Sequence, residues 1–246
     1  MIMSGHQPNY LPWLGFFDKM RQSDIFVIQD NIQYGHRGYT NRNVIKNQKE
    51  CQLLTVPVER GRNRQLISDV KIARNGGNDW AKRHWLSIKY NYCNAPYWSK
   101  YCDFFEDTYR KDWVFLIDLN MHLIKGIMGF LGISTPLVLA STLNVSGKKS
   151  DLVLAQCKAV HADIHLAGVG AKDYLEIEKF EQEGIKVVFQ EFEPPIYQQL
   201  QGEFIPNLSV IDYLFCTGGA PWRSKQNGNS ASMAESKHFL SCNAQK

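Results

Sequence analysis

Apolar positions along the chain fall into short blocks whose spacing alternates between that of strands and that of helices. Residues 24–30 form a continuous apolar run between two aspartates, which is typical of a strand buried on both faces of a parallel sheet. A short strand over residues 1–10 precedes it, and apolar side chains recur at helical spacing over residues 11–21. The pattern therefore predicts that the chain opens with a strand, a helix and a second strand.

The same alternation returns in the second half of the chain. Strands are predicted over 135–141, 163–168 and 185–192, with helices over 151–160 and near 174–183. Strands joined by helices of this length favour parallel pairing through crossover connections. We therefore expect an α/β fold with a mostly parallel sheet and Rossmann-like crossovers, formed by a single domain over residues 1–218.

Three segments depart from this alternation. Residues 79–132 are rich in aromatic side chains and predict a helical insertion of two or three helices. Residues 31–48 are predicted to form a long polar and aromatic loop, and a strand is predicted to follow over 51–59. Residues 219–246 are rich in glycine, serine and asparagine, which favours a flexible tail.

The composition narrows the class of protein. The chain of 246 residues is 44% hydrophobic and 21% charged, which is close to the average of folded globular proteins. Its net charge of +4 is small, and its basic residues are scattered and form no stripe of the kind that binds DNA. Its six cysteines form no CxxC pair, so we predict no metal site.

The expected localisation follows from membrane and leader signals in the sequence. The longest apolar run, residues 123–133, is interrupted by Lys125 and is too short to cross a bilayer. A charged segment followed by an apolar one, the pattern of a leader, does not precede the first polar motif. We therefore expect a cytoplasmic protein without a membrane span.

The first polar motif is GHQPNYLPW, residues 5–13, and it follows the end of the first predicted strand. Ligands of open α/β sheets bind beyond the carboxyl ends of strands, and the helix N-terminus after the motif suits an anion. His6 is the first candidate for acid/base catalysis because an imidazole titrates near neutral pH. Gln7, Asn9 and Tyr10 are candidate substrate ligands. The alternative interpretation is a turn that His6 caps, with the neighbouring aromatic rings in the core.

The second polar loop covers residues 30–43 and follows the second predicted strand. Asp30 is the second acid/base candidate. Arginine offers a planar fork to phosphates and carboxylates, amides bind sugar hydroxyl groups, and tyrosine rings stack on flat faces. The candidate substrate ligands in this loop are Gln33, Tyr34, Arg37, Asn41, Arg42 and Asn43. Two alternatives stay open, a solvated loop of turns and an RNA-binding segment, because basic and aromatic residues interleave here.

The third polar region lies on either side of the strand predicted over 163–168. Lys148 and Lys149 stand before a predicted helix, where backbone N–H groups and lysines can hold a phosphate. The spacing lacks the GxxxxGK[ST] pattern of a P-loop, and a solvated helix start is the alternative. Lys172 and Asp173, after the strand, complete the candidate substrate ligands. We predict that the three polar regions meet in one pocket.

The same polar regions carry motifs of a known family. Residues 7–17 match the pattern Q-P-x-Y-L-P-W-x-G-x-F, and further blocks follow in order at 30–34, 37–43, 55–58, 147–149, 168–174 and 202–215. Over about residues 3–218 the chain resembles the WbqC-like family. Members of that family resemble products of bacterial O-antigen and surface-polysaccharide clusters. The resemblance implies a transferase that moves an acyl or aminoacyl group, glycyl among them, onto an activated sugar.

A looser likeness leads to a second hypothesis. A strand, a turn with a histidine, a helix and a second strand are similar to nucleotidyl-transferring enzymes of the pantothenate-synthetase kind. The chain departs from their H-x-G-H signature, since His6 stands alone. This likeness implies ATP and magnesium as cofactors and an enzyme of nucleotidyl-transfer or ligase type.

The two likenesses define the functions to be distinguished. The transferase would use a small-molecule or nucleotide-sugar substrate, with transfer RNA as a candidate donor of the aminoacyl group. A non-catalytic protein that binds RNA or a nucleotide-sugar is the third hypothesis, and a scaffold for polysaccharide assembly is the fourth. The sequence sets no oligomeric state.

Overall fold

The computed structural model describes residues 1–59, 61, 65–74 and 79–223. Within them the strands are β1 (Ile2–His6), β2 (Ile25–Ile28), β3 (Arg42–Lys46), β4 (Cys51–Thr55), β5 (Leu137–Leu139), β6 (Ile164–Ala167) and β7 (Lys186–Phe189). The helices are α1 (Leu14–Arg21), α2 (Trp80–Tyr92), α3 (Trp98–Arg110), α4 (Leu116–Phe130), α5 (Ser150–Ala159), α6 (Ile177–Gln182) and α7 (Val210–Thr217). Short 3₁₀ turns lie at Ile67–Asp69, Ala140–Leu143 and Val169–Asp173.

Five of these strands form one sheet in the order β5-β2-β1-β6-β7, and every neighbouring pair is parallel. The remaining two, β3 and β4, form a separate antiparallel pair. The expected α/β class with a parallel sheet is confirmed. The chain adds strands on one side of β1 and then crosses to the other side at β6. Open α/β sheets bind ligands at such a reversal, beyond the carboxyl ends of the strands.

Helices cover both faces of the sheet. The first core lies on the face of the sheet that α1, α2, α3, α4 and α7 cover. The second core lies on the opposite face, which α5 and α6 cover. Phe26 and Ile28 point into the first core, and Val27 between them points into the second. A strand that is covered on both faces needs apolar residues throughout, which explains the apolar run predicted there.

Helices α2, α3 and α4 occupy the segment in which the sequence predicts a helical insertion. Helix α3 packs against α7 through the rings of Tyr101, Phe105 and Phe215. The side-chain amide of Asn120 on α4 donates to the carbonyl oxygens of Pro8 at 2.8 Å and Thr40 at 2.7 Å. These helices therefore fix the backbone of the first two polar regions.

Two local predictions are corrected by the structure. Helix α1 begins at Leu14 and not at residue 11, because Leu11 has a positive φ of 43° and Pro12 follows it. The segment 31–48 is not a loop throughout, since Arg42–Lys46 forms β3. Only two apolar residues separate the polar ones in that strand, so its apolar pattern is too short to predict pairing.

Residues 219–223, which the sequence assigns to the tail, pack against the domain. Trp222 is 6% exposed, and its indole N–H donates to Asp18 Oδ1 at 2.8 Å. The Cζ atom of Arg21 lies 4.0 Å from the centre of the Trp222 ring. The rest of the predicted tail, residues 224–246, lies outside the described residues. In the described part of the chain, no helix is long and apolar enough to cross a bilayer.

Candidate functional site

A cavity of about 560 Å³ opens at the carboxyl ends of β1 and β6, where the strand order reverses. This volume falls in the range of small-molecule sites. Its lining residues are Gly5, His6, Gln7, Lys19, Gln29, Ile32, Lys149, Leu152, Val153, His165, Ala167, Gly168, Gly170, Ala171 and Tyr174. Two lysines and two histidines stand among them, and the described lining contains no aspartate or glutamate. The cavity therefore favours an anionic ligand.

His6 is the last residue of β1, and its half-buried ring lies edge-to-face on Phe16 with centroids 5.2 Å apart. Nδ1 lies 3.0 Å from the carbonyl oxygen of Gln7, so it carries the proton and donates to that oxygen. Nε2 is then the nitrogen with the free lone pair. Burial and the charge of Lys19 lower the pKa of His6 to about 3. The imidazole is therefore neutral at physiological pH and can accept a proton from a ligand.

Two glutamine side chains supply neutral polar groups to the cavity. The hydroxyl of Thr40 donates to Gln7 Oε1 at 3.2 Å, which leaves the NH₂ group of Gln7 as its donor for a ligand. Gln29 exchanges two amide hydrogen bonds with Gln156, at 2.7 and 2.9 Å. Gly5 allows this packing, because a Cβ atom there would lie 3.0 Å from Gln29 Nε2. Fixed amides of this kind are suited to sugar hydroxyl groups.

Lys19 brings a buried positive charge to the cavity. It is 3% exposed on α1, and its Nζ donates to the carbonyl oxygen of Gly5 at 2.9 Å. Within the described part of the chain, no carboxylate forms an ion pair with this ammonium group, whose buried surroundings lower the pKa of Lys19 to about 8. Most of the population is still protonated at neutral pH.

His165 lies on β6 beside Met3 of β1 and is 6% exposed. Its ring stacks on Phe180 with centroids 5.8 Å apart, and its Nδ1 is buried without a hydrogen-bond partner in the described structure. Burial and the charge of Lys19 lower the pKa of His165 to about 4. A buried nitrogen without a partner is uncommon in folded proteins and is a candidate contact for a ligand.

The N-terminus of α5 forms another wall of the cavity. Lys149 is the N-cap residue of α5 and has φ 49° and ψ −123°, a backbone conformation that is strained for any residue except glycine. Strained residues of this kind cluster at functional sites. The helix end adds the positive end of its dipole to the charge of the lysine.

The structure brings together a part of the predicted site. His6, Gln7 and Lys149 line the cavity. The second polar loop reaches the lining through Ile32, and it contacts Gln7 through Thr40. The predicted residues that lie elsewhere are Asp30, Asn9, Tyr10, Gln33, Tyr34, Arg37, Asn41, Arg42, Asn43, Lys148, Lys172 and Asp173.

Asp30 and Tyr10 hold segments of the fold together. Both carboxylate oxygens of Asp30 accept from Ser141, one from its N–H at 2.9 Å and one from its hydroxyl at 2.6 Å. The hydroxyl of Tyr10 bonds to Nδ1 of His84 at 2.8 Å and to the hydroxyl of Tyr109. These contacts tie the first two polar regions to the 3₁₀ turn that follows β5 and to the helices α2 and α3.

The asparagines of the second loop bond to backbone. Asn41 donates to the carbonyl of Val56 at 2.8 Å, and Asn43 donates to the carbonyl of Leu11 at 2.6 Å. The guanidinium of Arg42 donates to a backbone carbonyl, that of His36, at 2.8 Å. Of the other predicted ligands, Asn9 and Tyr34 are buried. The exposed ones are Gln33, Arg37, Lys148, Lys172 and Asp173.

Four polar side chains of the cavity are absent from the sequence-based site: Lys19, Gln29, His165 and Tyr174. Two of them carry a signal in the sequence. Lys19 stands three residues after Phe16, on the face of α1 that the apolar pattern buries, and His165 interrupts an apolar strand. A polar residue at a buried position needs a partner, so each of these positions marks a candidate site.

The fold and the cavity define a doubly wound α/β protein with an anion-favouring site at the reversal of strand order. The chain belongs to the WbqC-like protein family, which matches residues 7–223. It is also 34% identical over 215 residues to Rv1507c of Mycobacterium tuberculosis, an uncharacterized protein, over 86% of this chain and 92% of that one. No solved structure matches the chain significantly. The family expected from the motifs is confirmed.

Proposed function

We propose that the protein is a transferase of surface-polysaccharide assembly that moves an acyl or aminoacyl group onto an activated sugar in this cavity. The observation that carries the proposal is the cavity itself, in which a neutral imidazole, fixed amides and two lysines converge. The imidazole suits proton transfer, the amides suit sugar hydroxyl groups, and the lysines suit the phosphates that activate a sugar. Membership of the WbqC-like family supports the polysaccharide context.

In the proposed step, an amino or hydroxyl group of the sugar attacks the carbonyl carbon of an activated acyl ester or thioester. A C–N or C–O bond forms, and the bond between the carbonyl carbon and the leaving group breaks with its electron pair on the leaving group. Nε2 of His6 accepts the proton of the attacking group and returns it to the leaving group. Aminoacyl-transfer RNA is one donor of this class.

The protonation of His6 links this step to ligand binding. The charge of Lys19 is one cause of the low pKa of His6. Burial is the larger cause and remains, but an anion beside Lys19 offsets the charge of that lysine, which raises the pKa of His6 and makes it a stronger base. Substrate binding would therefore activate the base.

The described lining of the cavity shows whether its residues could hold a magnesium ion. Mg²⁺ prefers oxygen ligands, carboxylates above all, and the described lining contains no aspartate or glutamate. In the described residues, no cluster of histidine, cysteine, aspartate and glutamate could hold a metal ion. The described lining therefore does not fit a magnesium ion.

A second candidate function is nucleotidyl transfer with ATP. The strand order β5-β2-β1-β6-β7 favours it, because doubly wound sheets of this order bind nucleotides where the order reverses. In this alternative the cavity would hold the phosphates of ATP, and His6 would contact them.

A screen of ligands followed by a product assay tests the proposal. Ligands that bind the native state raise the melting temperature, so ATP, nucleotide-sugars, glycine and transfer RNA are compared. Nucleotide-sugars that bind are then incubated with activated acyl donors, and the sugar is analysed by mass spectrometry. We expect an acylated sugar from the wild type and a loss of about 100-fold or more in turnover for His6→Ala.

The matched control is His161→Asn, an exposed histidine outside the cavity whose positive φ of 57° asparagine tolerates. It should retain wild-type turnover. Transfer of a nucleotide from ATP would support the second candidate. Binding of RNA that weakens steeply with salt, without any product, would contradict the transferase.

A further inference from the structure

We infer that Lys19, His165 and the turn at Gly168 form a buried subsite for a phosphate group of the substrate. This inference rests on the proposed function for the identity of the whole substrate, and it names the chemical group that this end of the cavity binds. The phosphate can belong to a nucleotide-sugar, a sugar phosphate or a free nucleotide.

The first reason is the environment of the Lys19 ammonium group. An ammonium group has three N–H donors and loses its hydration on burial, which costs several kcal/mol unless an opposite charge is near. Within the described residues this group has one hydrogen-bond acceptor, the carbonyl oxygen of Gly5 at 2.9 Å. The ring of Phe26 has its centroid 5.9 Å from Nζ. An anion in the cavity supplies the charge that the described protein residues do not.

The second reason is the unpartnered Nδ1 of His165. The ring is held in place by stacking on Phe180, and Nδ1 is buried without a partner in the described residues. Lys19, His165 and His6 all line the same cavity, and the charge of Lys19 acts on both imidazoles. A phosphate there satisfies Nδ1 in either protonation state. A monoanion donates its O–H to the neutral nitrogen, and a dianion accepts a hydrogen bond from the protonated one.

The third reason is the missing side chain at Gly168. Its backbone angles, φ −75° and ψ 158°, are available to any residue, so the conformation does not require glycine. A Cβ atom at this position would lie 3.5 Å from Lys19 Nζ and would occupy the space beside the ammonium group. Glycine therefore keeps Lys19 accessible from the cavity.

The competing explanation is that Lys19 only fastens α1 to β1 through its bond to Gly5. The two roles predict opposite effects of Lys19→Met, which keeps the length of the side chain and removes its charge. If the lysine is structural, the variant melts at a lower temperature. If it is a ligand-binding group, the variant melts at the same or a higher temperature and loses affinity for phosphates.

The test measures ligand binding to the full chain by calorimetry. The probes are a nucleotide-sugar, the nucleoside diphosphate, a sugar phosphate, inorganic phosphate and the nucleoside without phosphate. The variants are Lys19→Met, His165→Phe and Gly168→Ala, and Lys125→Met is the matched control because it removes an exposed lysine outside the cavity. Comparison of the probes shows which molecule carries the phosphate.

We expect Lys19→Met and His165→Phe each to weaken phosphate-bearing probes by about tenfold or more and to leave the nucleoside unchanged. Gly168→Ala should weaken the same probes without lowering the melting temperature. Lys125→Met should bind as the wild type does. Unchanged affinity of folded Lys19→Met and His165→Phe for every phosphate-bearing probe would overturn the subsite. If Lys19→Met does not fold, the other two variants decide.

Different experimental results would contradict the phosphate subsite and the proposed transferase function. If the wild type acylates a sugar, and Lys19→Met binds that sugar substrate as tightly as the wild type does, the proposed function holds and the phosphate subsite is wrong. If the wild type binds phosphates through Lys19 but yields no product with any acyl donor, the phosphate subsite holds and the proposed transferase function is wrong.

Discussion

The ammonium group of Lys19 lies 2.9 Å from the carbonyl oxygen of Gly5, so a buried positive charge from α1 reaches the carboxyl end of the central strand. This contact places the charge at the reversal of strand order, in the cavity that His6 and His165 also line. Neither the helix nor the strand by itself shows this contact in the sequence. Their contact gives the cavity its positive charge and connects the fold to the proposed chemistry.

The pKa of Lys19 predicts an unusual dependence of stability on alkaline pH. The pKa is about 8 in the folded protein against an ordinary 10.5, so the unfolded chain binds more protons between these values and stability rises with pH there. Lys19→Met should stabilise the unliganded protein at neutral pH by up to about 3 kcal/mol, and the gain should vanish toward pH 10.5. Urea unfolding of both proteins across this range measures the difference. A Met variant that is less stable at neutral pH would contradict it.

Three histidines with lowered pKa values predict a loss of stability in acid. The pKa of His6 is lowered to about 3, and those of His84 and His165 to about 4, against an ordinary 6.5. Below 6.5 the unfolded chain therefore takes up protons that the folded chain does not, so stability falls as the pH is lowered. Each histidine contributes about 1.4 kcal/mol per pH unit within its window.

The histidine contribution is checked with His165→Phe, which keeps the stacked ring. Its unfolding free energy should fall less steeply with acidification than that of the wild type, by about 1.4 kcal/mol per pH unit. Equal slopes for the two proteins would show that His165 is not held neutral in the fold.

The strained backbone at Lys149 is predicted to lower the stability of the fold while its side chain contributes to ligand binding. Its φ of 49° and ψ of −123° cost about 1–3 kcal/mol for a residue with a side chain, and glycine removes most of that cost. Lys149→Gly should raise the free energy of unfolding by about 1 kcal/mol, after the greater chain entropy of glycine is counted. It should also weaken the binding of a nucleotide-sugar. Calorimetry and urea unfolding measure both effects, and a variant that binds equally well would exclude Lys149 from the site.

Asp30 is predicted to stabilise the fold through Ser141. Asp30→Asn replaces one accepting oxygen by an NH₂ group that faces a donor, which should cost about 1–3 kcal/mol of stability. Ser141→Ala removes one of the two bonds and should cost less. Neither variant should change the affinity for a nucleoside diphosphate. A loss of turnover in Asp30→Asn at unchanged stability would place Asp30 among the acid/base groups.

The fold was largely readable from the sequence because its strands are short apolar runs separated by helices. The run around Val27 predicts a strand covered on both faces, and the structure gives it one core on each side. The helix start was misplaced because the left-handed conformation of Leu11 leaves no mark in the apolar pattern. β3 was missed since its strand character depends on pairing with β4 and on burial of Asn43 and Ile45.

The site was only partly readable, for a different reason. His6 and Gln7 stand directly after a strand, so their place at the sheet edge follows from the chain order. Asn41 and Asn43 look like ligand-binding amides in sequence, but the structure uses them to satisfy backbone carbonyls. Whether an amide meets a ligand or a carbonyl depends on packing between distant segments. The sequence alone does not specify that packing.

The most direct test of the account is a crystal structure of the protein with a nucleotide-sugar bound. The account predicts phosphate oxygens at hydrogen-bond distance, about 2.7–3.2 Å, from Lys19 Nζ and His165 Nδ1, with the sugar facing His6 Nε2. A nucleotide-sugar bound outside the cavity between β1 and β6, with Lys19 still bonded only to Gly5, would contradict it.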